Sequence, residues 1–466
     1  MSEAVATSQQ GLVEKYQPYP EYDDSGIEWL GRIPVHWKLA TLKHECVFSG
    51  GGTPTKDNLA YWGGNIPWIS PKDMKSQIVT DSIDKITAVA VAESSTKLVP
   101  EGALLMVVRS GILQRTIPVA INTVPVTLNQ DMKALRFKSK DKACFFLYYI
   151  QGLESQLLLE WCKQGATVES IEHELLANAR YPLPPNDELK AINQFLDYET
   201  ARIDRLITQQ LRLIELLKEK RQAVISHAVT KGLNPNAPMI DSGVEWLGQV
   251  PAHWVVRRLK HTAEIHSGIP KGKDLSGKDT ITVPMLRVAN VQDGYLNLDN
   301  VHEIEIEPHE LVRYSLRAGD VLMNEGGDND KLGRGAVWPG QIIPCIHQNH
   351  VFAIRVNNIE PEWLSWLTSS SYAKYYFYSV SKQSTNLASI SSSNVKETPL
   401  VLPPKNERVE IMRYLDEKIA KLSGIESQAA LQIELLQERR TALISAAVTG
   451  KIDLRGWTQP AEEAAV

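Results

Sequence analysis

The sequence predicts a mixed α/β (α+β) protein: two similar globular domains and two long helices, the helices pairing as an antiparallel coiled coil about an internal pseudo-twofold axis. Three observations predict it. Two long stretches end in nearly the same text, Glu215-Leu-Leu-Lys-Glu-Lys-Arg-Gln-Ala-Val-Ile-Ser-His-Ala-Val-Thr230 and Glu434-Leu-Leu-Gln-Glu-Arg-Arg-Thr-Ala-Leu-Ile-Ser-Ala-Ala-Val-Thr449. Two leading segments, Asp24-Ser-Gly-Ile-Glu-Trp-Leu-Gly-Arg-Ile-Pro-Val-His-Trp37 and Asp241-Ser-Gly-Val-Glu-Trp-Leu-Gly-Gln-Val-Pro-Ala-His-Trp254, match 217 positions apart. Within the long stretches, apolar residues alternate at spacings of three and four, the pattern of a coiled-coil seam. The competing reading is one long amphipathic helix inside a single large domain. Duplication and heptads coinciding argue against it.

Composition bounds the class. Length alone suggests about three domains. The apolar and charged fractions, 43% and 23%, are those of a soluble globular protein. No apolar run is long enough to cross a bilayer, and Met1-Ser-Glu-Ala-Val-Ala has no signal-peptide pattern. Cys46, Cys144, Cys162 and Cys345 are scattered, as for reduced cytosolic thiols rather than a zinc site, so no metal is expected. The net charge of −5 sits mostly at the ends: residues 1–23 carry −3, residues 452–466 carry −2, and each long helix carries +1. The globular parts are thus close to neutral. A nucleic-acid binder of this charge has a modest phosphate-neutralising term of its own and needs a partner to supply more.

In order along the chain, residues 1–23 read as a polar tail and 24–185 as the first domain. Residues 186–232 form the first helix, 240–404 the second domain, 405–451 the second helix and 452–466 a second tail. Each leading segment carries two tryptophans and a histidine. Neither His36 nor His253 has a nucleophile or carboxylate beside it in sequence, so the segments read as docking elements rather than catalytic ones. Ile66–Met74 lies opposite Val283–Val291, and Glu101–Met106 opposite Ala318–Met323, the latter pair as strands begun through a glycine turn. Asn129-Gln130 and His347-Gln348 precede strands at 133–137 and 351–356. Aromatic-rich helices follow at 143–161 and 361–379, then polar turns at 164–167 and 383–386. The repeat spacing there becomes 219, a net two-residue insertion in the second domain.

Pro184-Pro185 stops the preceding strand, Asn186 can cap the first helix, and Gly232 follows its end. The predicted seam is Leu189, Ile192, Leu196, Ile203, Leu206, Leu213, Leu217 and Val224, interrupted by Glu199, Gln210 and Lys220. The second helix follows Pro403-Pro404 and presents Ile411, Leu415, Leu422, Ile425, Ala429, Leu436 and Leu443. At 1.5 Å per residue each helix is about 66 Å long, a spacer. Antiparallel pairing suits helices joined through a large domain better than parallel pairing does.

This order of elements resembles the specificity subunits of type I restriction–modification enzymes, over almost the whole chain. The resemblance rests on the Trp-containing leading segments, Gly51-Gly-Thr-Pro54, Tyr61-Trp-Gly-Gly64, Ile66-Pro-Trp-Ile-Ser70, the strand starts at Gln130 and Gln348, and the twin Glu-Leu-Leu helices. It implies that each globular domain is a target recognition domain reading one half of a bipartite, asymmetric DNA sequence. It implies helices that set the gap and dock two methyltransferase subunits, with restriction/translocase subunits joining them. This chain would then be a non-catalytic subunit without cofactor. Its partners would use S-adenosylmethionine, ATP and Mg2+ for adenine-specific DNA methylation and type I site-specific DNA cleavage in a prokaryotic cytoplasm. A rod of about 66 Å spans roughly two turns of duplex at about 3.4 Å per base pair, which agrees with two separated reading heads.

The residues themselves show no active site. Leu183-Pro-Pro-Asn186 and Leu402-Pro-Pro-Lys405 lack the aromatic of an amino-methyltransferase motif. Gly272-Lys-Asp-Leu-Ser-Gly-Lys-Asp279 misses a P-loop by one residue, with Asp279 where a magnesium-binding hydroxyl belongs. Asp187, Glu188 and Lys190 sit in a helix's first turn, where acids suit the dipole without any nuclease role. For base reading, matched positions whose chemistry differs between copies are the candidates: Ser70 against Arg287, Lys72 against Ala289, Asp73 against Asn290, and Arg109 against Gly326. Arg and Lys bond guanine O6/N7 and Asn bonds adenine N6/N7. Lys56, Arg115, Lys271, Lys273, Lys331 and Arg334, in Gly-rich loops, are candidates for phosphates. Trp62 and Trp68 read as core rather than stacking platforms. A coiled-coil scaffold carrying two protein- or glycan-binding domains is the alternative from another class, and a methylation-only complex is a variant of the main reading.

Overall fold

Asn186–Lys231 and Lys405–Val448 are the two long helices. Each starts after a proline pair, with Leu189 N–H donating to Pro185 O at 2.8 Å and Arg408 N–H to Pro404 O at 3.0 Å. Each is closed by a left-handed glycine, Gly232 (φ +75°) and Gly450 (φ +67°). The computed structural model describes residues 16–162, 169–270, 272–327, 332–383 and 388–460. It divides into two units, one reaching Gln210 and resuming at Leu431, the other Leu211–Ala430. Each long helix therefore gives one half to each unit.

In the first unit Leu189, Ile192, Leu196 and Ile203 share a core with Leu443, Ala447 and Val448, and Arg440 Nε donates to Asp204 Oδ1 at 3.0 Å. In the second, Ile225, Ala228 and Val229 share a core with Ile411, Leu415 and Ile419, and Lys218 lies 4.0 Å from Glu426. In both units the start of one helix lies beside the end of the other, so the pairing is antiparallel. The seam differs from the predicted one at two positions of the first helix and one of the second. Leu206 (38% exposed), Leu213 (37%) and Ile425 (43%) face solvent. The turned-in neighbours are Ile207, Ile214 and Glu426. Residues 206–207 and 213–214 are both apolar pairs, so a heptad fits either member. The facing helix selects between them. Lys220 is exposed, whereas Glu199 is buried and 3.7 Å from Arg202.

The globular part of the first unit holds a five-stranded sheet in the order Cys46–Gly50, Met132–Phe137, Leu104–Val107, Val119–Asn122, Ile78–Val79, antiparallel except for the last pair. A second sheet runs Thr127–Leu128, Trp62–Ile69, Asp84–Ile86. The second unit repeats the first four strands of the larger sheet as Ala263–Ser267, Val351–Val356, Val321–Asn324, Gly335–Val337, and the smaller sheet as His302–Ile306, Ile281–Leu286, Ile346–His347. Leu104–Val107 and Val321–Asn324 are buried on both faces, hence the unbroken apolar runs Leu104–Val107 and Val321–Met323. They begin after Gly102 (φ +81°) and Gly319 (φ +90°), the turns the sequence predicts. The two sheets meet at Gly51 in one copy and Gly268 in the other. A Cβ there would strike the carbonyls of Leu128 and Asn129, or of His347 and Gln348, so only glycine fits. These contacts also correct the alignment. Gln348 N–H bonds Leu286 O as Asn129 N–H bonds Ile69 O, so Gln348 matches Asn129 and His347 matches Leu128.

Lys140–Trp161 packs Phe145, Phe146, Tyr149 and Trp161 into the first core, with a break at Leu153 (φ −133°). The single helix predicted over 361–379 is two, Pro361–Thr368 and Ser371–Val380, because Ser370 caps the second through Ala373 N–H at 3.4 Å. The polar turns at 164–167 and 384–386 lie outside the described residues.

Neither tail is only a tail. Tyr22–Asp24 pairs with Arg32–Pro34, and Tyr19 is buried. Ile452 and Leu454 are buried, Asp453 N–H donates to Gln17 O at 2.8 Å, and the Trp457 ring meets Phe195 edge-on at 5.4 Å. Residues 1–15 and 461–466 lie outside the described residues. In the second unit the continuous chain after Gly232 leads into Met239–Asp241, paired with Gln249–Pro251. In the first unit residues 16–24 and 452–457 build the same junction. No periodicity marks these scattered apolar residues, so the sequence alone does not show it.

Candidate nucleic-acid interface

In the first unit the end of strand Trp62–Ile69, the turn Pro71–Asp73, the loop after Gly51 and the turn 129–131 enclose a cleft of about 710 Å³. Tryptophans position the loop: Trp68 Nε1 donates to Gly52 O at 3.0 Å and Trp62 Nε1 to Thr55 O at 3.2 Å, the two rings edge-to-face at 5.2 Å. Trp68 is core, as expected, while half-buried Trp62 lines the cleft beside exposed Leu59. Lys56 and Lys72 both line it. Lys72 Nζ is 3.4 Å from Asp84, with both side chains well exposed, so this pair is weak and exchangeable for a ligand. Arg109 reaches the rim through Asp131 at 3.7 Å. Thr53 donates its hydroxyl to Gln130 Oε1 on the opposite edge.

Two predicted base readers in this cleft are scaffold instead. Asp73 Oδ2 accepts from Ser70 N–H (2.9 Å) and Ser70 Oγ (2.8 Å), and Oδ1 accepts from Ile83 N–H (2.9 Å). The pair forms a capping box, with both side chains engaged inside the turn. Asn290 does the same job in the second copy. It is buried, its Oδ1 accepts from Arg287 N–H at 2.8 Å, and its Nδ2 donates to Asn297 O and Asn300 O at 2.9 and 3.1 Å. Comparing copies selected these positions because Asp and Asn differ in charge. Their oxygens are interchangeable as acceptors, so the difference carries no information about DNA.

Lys72 and Asp84 of the first copy correspond to Ala289 and His302 in the second, since Trp68 pairs with Asp84 as Met285 pairs with His302. The same geometric position thus presents an ion pair in one domain and a methyl with an exposed imidazole in the other. Arg287 is half-buried with its Nε unpartnered. Lys273, predicted to hold phosphate, is engaged by Glu307 (2.6 Å) and Glu310 (2.9 Å), whose hydrogen bonds raise its pKa. After Asp279 the chain enters strand Ile281–Leu286, not the helix a phosphate loop requires. Arg115 is exposed at the end of the turn Gly111–Gln114 and does not line the cleft. Arg334 donates to Gln292 Oε1 at 3.5 Å, in a different cleft of the second unit. Lys271 and Lys331 lie outside the described residues.

The leading-segment aromatics are not surface anchors. Trp37 and Trp254 are core residues. Trp37 Nε1 donates to Glu188 Oε1 at 2.9 Å, His36 Nε2 lies 2.8 Å from Glu188 Oε2, and the Tyr19 hydroxyl also donates to Glu188. In the second copy, among the described residues, only His253 reaches the matching Glu407, at 2.7 Å. The carboxylate missing beside each histidine in sequence is thus supplied by the first turn of the long helix. Only Trp246 keeps a large exposed face, stacked on Tyr376 at 5.9 Å. His347, matching buried Leu128, is held near a pKa of about 4 by burial, with its Nδ1 donating to Val351 O at 2.6 Å.

The family model "Type I restriction modification DNA specificity domain" matches residues 34–216 and again 251–435, most of the chain. The type I restriction enzyme EcoR124I/EcoR124II specificity subunit of Escherichia coli is 40% identical over 189 residues, 40% of this chain and 46% of that protein, so this match spans about half of that relative. The MjaIX specificity subunit of Methanocaldococcus jannaschii is 24% identical over 94% of this chain and 98% of its own length. A solved chain described under "Structural basis underlying complex assembly and conformational transition of the type I R-M system" shares the fold, with TM-score 0.67 and 17% identity over 89% of this chain and 98% of its own. Among the described residues no helix is long and apolar enough to cross a membrane. With both copies of the repeat matched, the chain belongs to the type I restriction–modification DNA specificity family.

Proposed function

We propose that this chain selects the DNA site for a type I restriction–modification complex. Each globular domain reads one half of a bipartite target through the cleft beside its capping-box turn, and the long helices set the unread gap and dock two methyltransferase subunits. The observation that carries this is the Lys72/Asp84 against Ala289/His302 difference on an otherwise repeated scaffold. Two copies of one frame with different readers predict two different half-sites, hence an asymmetric target. Lys56 and Lys72 can bond guanine O6/N7 or phosphate; Arg109 sits where it can follow either.

The covalent chemistry belongs to partners in this reading. A methyltransferase using S-adenosylmethionine flips an adenine out of the duplex held here. ATP- and Mg2+-dependent restriction subunits join the same core to cleave unmodified DNA. The setting is the prokaryotic cytoplasm. Methylome sequencing of a methylation-free bacterial host carrying this gene and its neighbouring methyltransferase gene tests the proposal. Methyladenine in one split, asymmetric motif that disappears without this gene is the expected result. No new methylation, with both proteins soluble and co-purifying, would favour a scaffold with protein- or glycan-binding domains.

A further inference from the structure

A second cleft, of about 500 Å³, lies in the second unit between the latter half of the first long helix and the globular domain. Its charged lining is Lys218, Arg221, Arg334 and Lys374 against Asp293 and Glu426. Both carboxylates are already engaged: Asp293 lies 3.5 Å from Lys374, and Glu426 lies 4.0 Å from Lys218. Lys374 is further held by Gln222 Oε1 at 3.0 Å. That leaves two guanidiniums, Arg221 from the helix and Arg334 from the domain, with no carboxylate partner among the described residues. The duplication shows that this is specific to one copy. Arg440, the match of Arg221, is held by Asp204 at 3.0 Å in the first unit. The position matching Asp204 is Ser423, which carries no charge. The first copy neutralises its arginine, whereas the second leaves it facing a cleft already rich in cations.

We propose that this cleft holds a phosphodiester of the duplex, a backbone clamp beside the second domain that carries no sequence information. The inference rests on the DNA-recognition reading above. Arg221 and Arg334 come from different elements, so a phosphate bridged between their forks would fix the domain's angle on the duplex. It would also supply one-sided phosphate neutralisation that the near-neutral domains otherwise lack.

The test is the salt dependence of duplex binding by the full chain assembled with its methyltransferase subunits, measured by fluorescence anisotropy on the methylated-motif sequence and on a scrambled duplex. Arg221→Gln should lower the slope of log K against log salt by about 0.9, so that the loss of affinity between 50 and 200 mM salt shrinks by about 3.5-fold. Both duplexes should be affected equally. Arg334→Gln, on the other wall, should reproduce the effect, and Arg440→Gln should leave the slope unchanged. An unchanged slope in both cleft variants, with wild-type binding intact, overturns the clamp alone. A wild-type complex that binds no duplex overturns the DNA-recognition reading and the clamp with it. Saturable binding of a nucleoside diphosphate lost in Arg221→Gln, with the duplex slope unmoved, would assign the cleft to a small phosphate ligand and overturn the duplex assignment.

Discussion

Replacing Glu188 by alanine should destabilise the first unit by about 2–4 kcal/mol, while Glu407→Ala at the matched position should cost the second unit no more than about 1 kcal/mol. Glu188 is buried and accepts from Trp37 Nε1, the Tyr19 hydroxyl and His36. Removing it strands two buried donors, Trp37 and Tyr19, each worth about 1–2 kcal/mol when left unsatisfied. His36 is about one-third exposed and rehydrates. At the matched position Glu407 serves, among the described residues, only His253, which is half exposed, and Trp254 Nε1 is already without a partner. Hydrogen exchange of the full chain resolves the two units. Peptides covering 16–37 and 186–196 should exchange about a hundredfold faster in Glu188→Ala, on the scale of about 1.4 kcal/mol per tenfold. Those around 253 and 407 should change several-fold at most in Glu407→Ala. Glu188→Gln, which keeps an acceptor, should fall between. Equal losses for the two alanine variants would refute the reasoning that bond count and burial set the difference.

Further outcomes follow from the same geometry. His347 stays neutral in the folded protein down to about pH 4 because of burial. An unfolded histidine takes a proton near pH 6.5. The contribution of His347 to the second unit's stability is therefore constant above about pH 6.5, falls by up to about 3 kcal/mol between there and pH 4, and flattens below. His347→Leu, the residue at the matched position, should remove that part of the slope in thermal melts at pH 7 and pH 4.5. Lys72→Ala should weaken binding by about 1–3 kcal/mol if it reads a base, and relax the methylated motif in one half only. Motif change in both halves would break its assignment to a single reading head. Removing one heptad from each long helix, residues 207–213 and 426–432, shortens the spacer by about 10.5 Å. The methylome should then show a gap about three base pairs shorter with both half-sites intact, or no methylation. A changed half-site would refute the spacer role.

The sequence by itself determined the architecture: the duplication, both long helices with their proline starts and glycine ends, the paired strands and the family. These are legible because they rest on local periodicity and on one copy of the text checking the other. The tertiary structure decided which of two apolar neighbours faces the seam, since Leu206 and Ile207 fit a heptad equally well until a second helix lies alongside. It also decided which polar groups are free to act. Asp73 and Asn290 are consumed by the turns they cap, and Lys273 is consumed by Glu307 and Glu310. The partner of His36 lies 152 residues away, and the first core is completed by residues from both ends of the chain. Periodicity is a property of neighbours along the chain. Whether a side chain's bonding capacity is spent depends on neighbours in space, and only the folded protein brings those together.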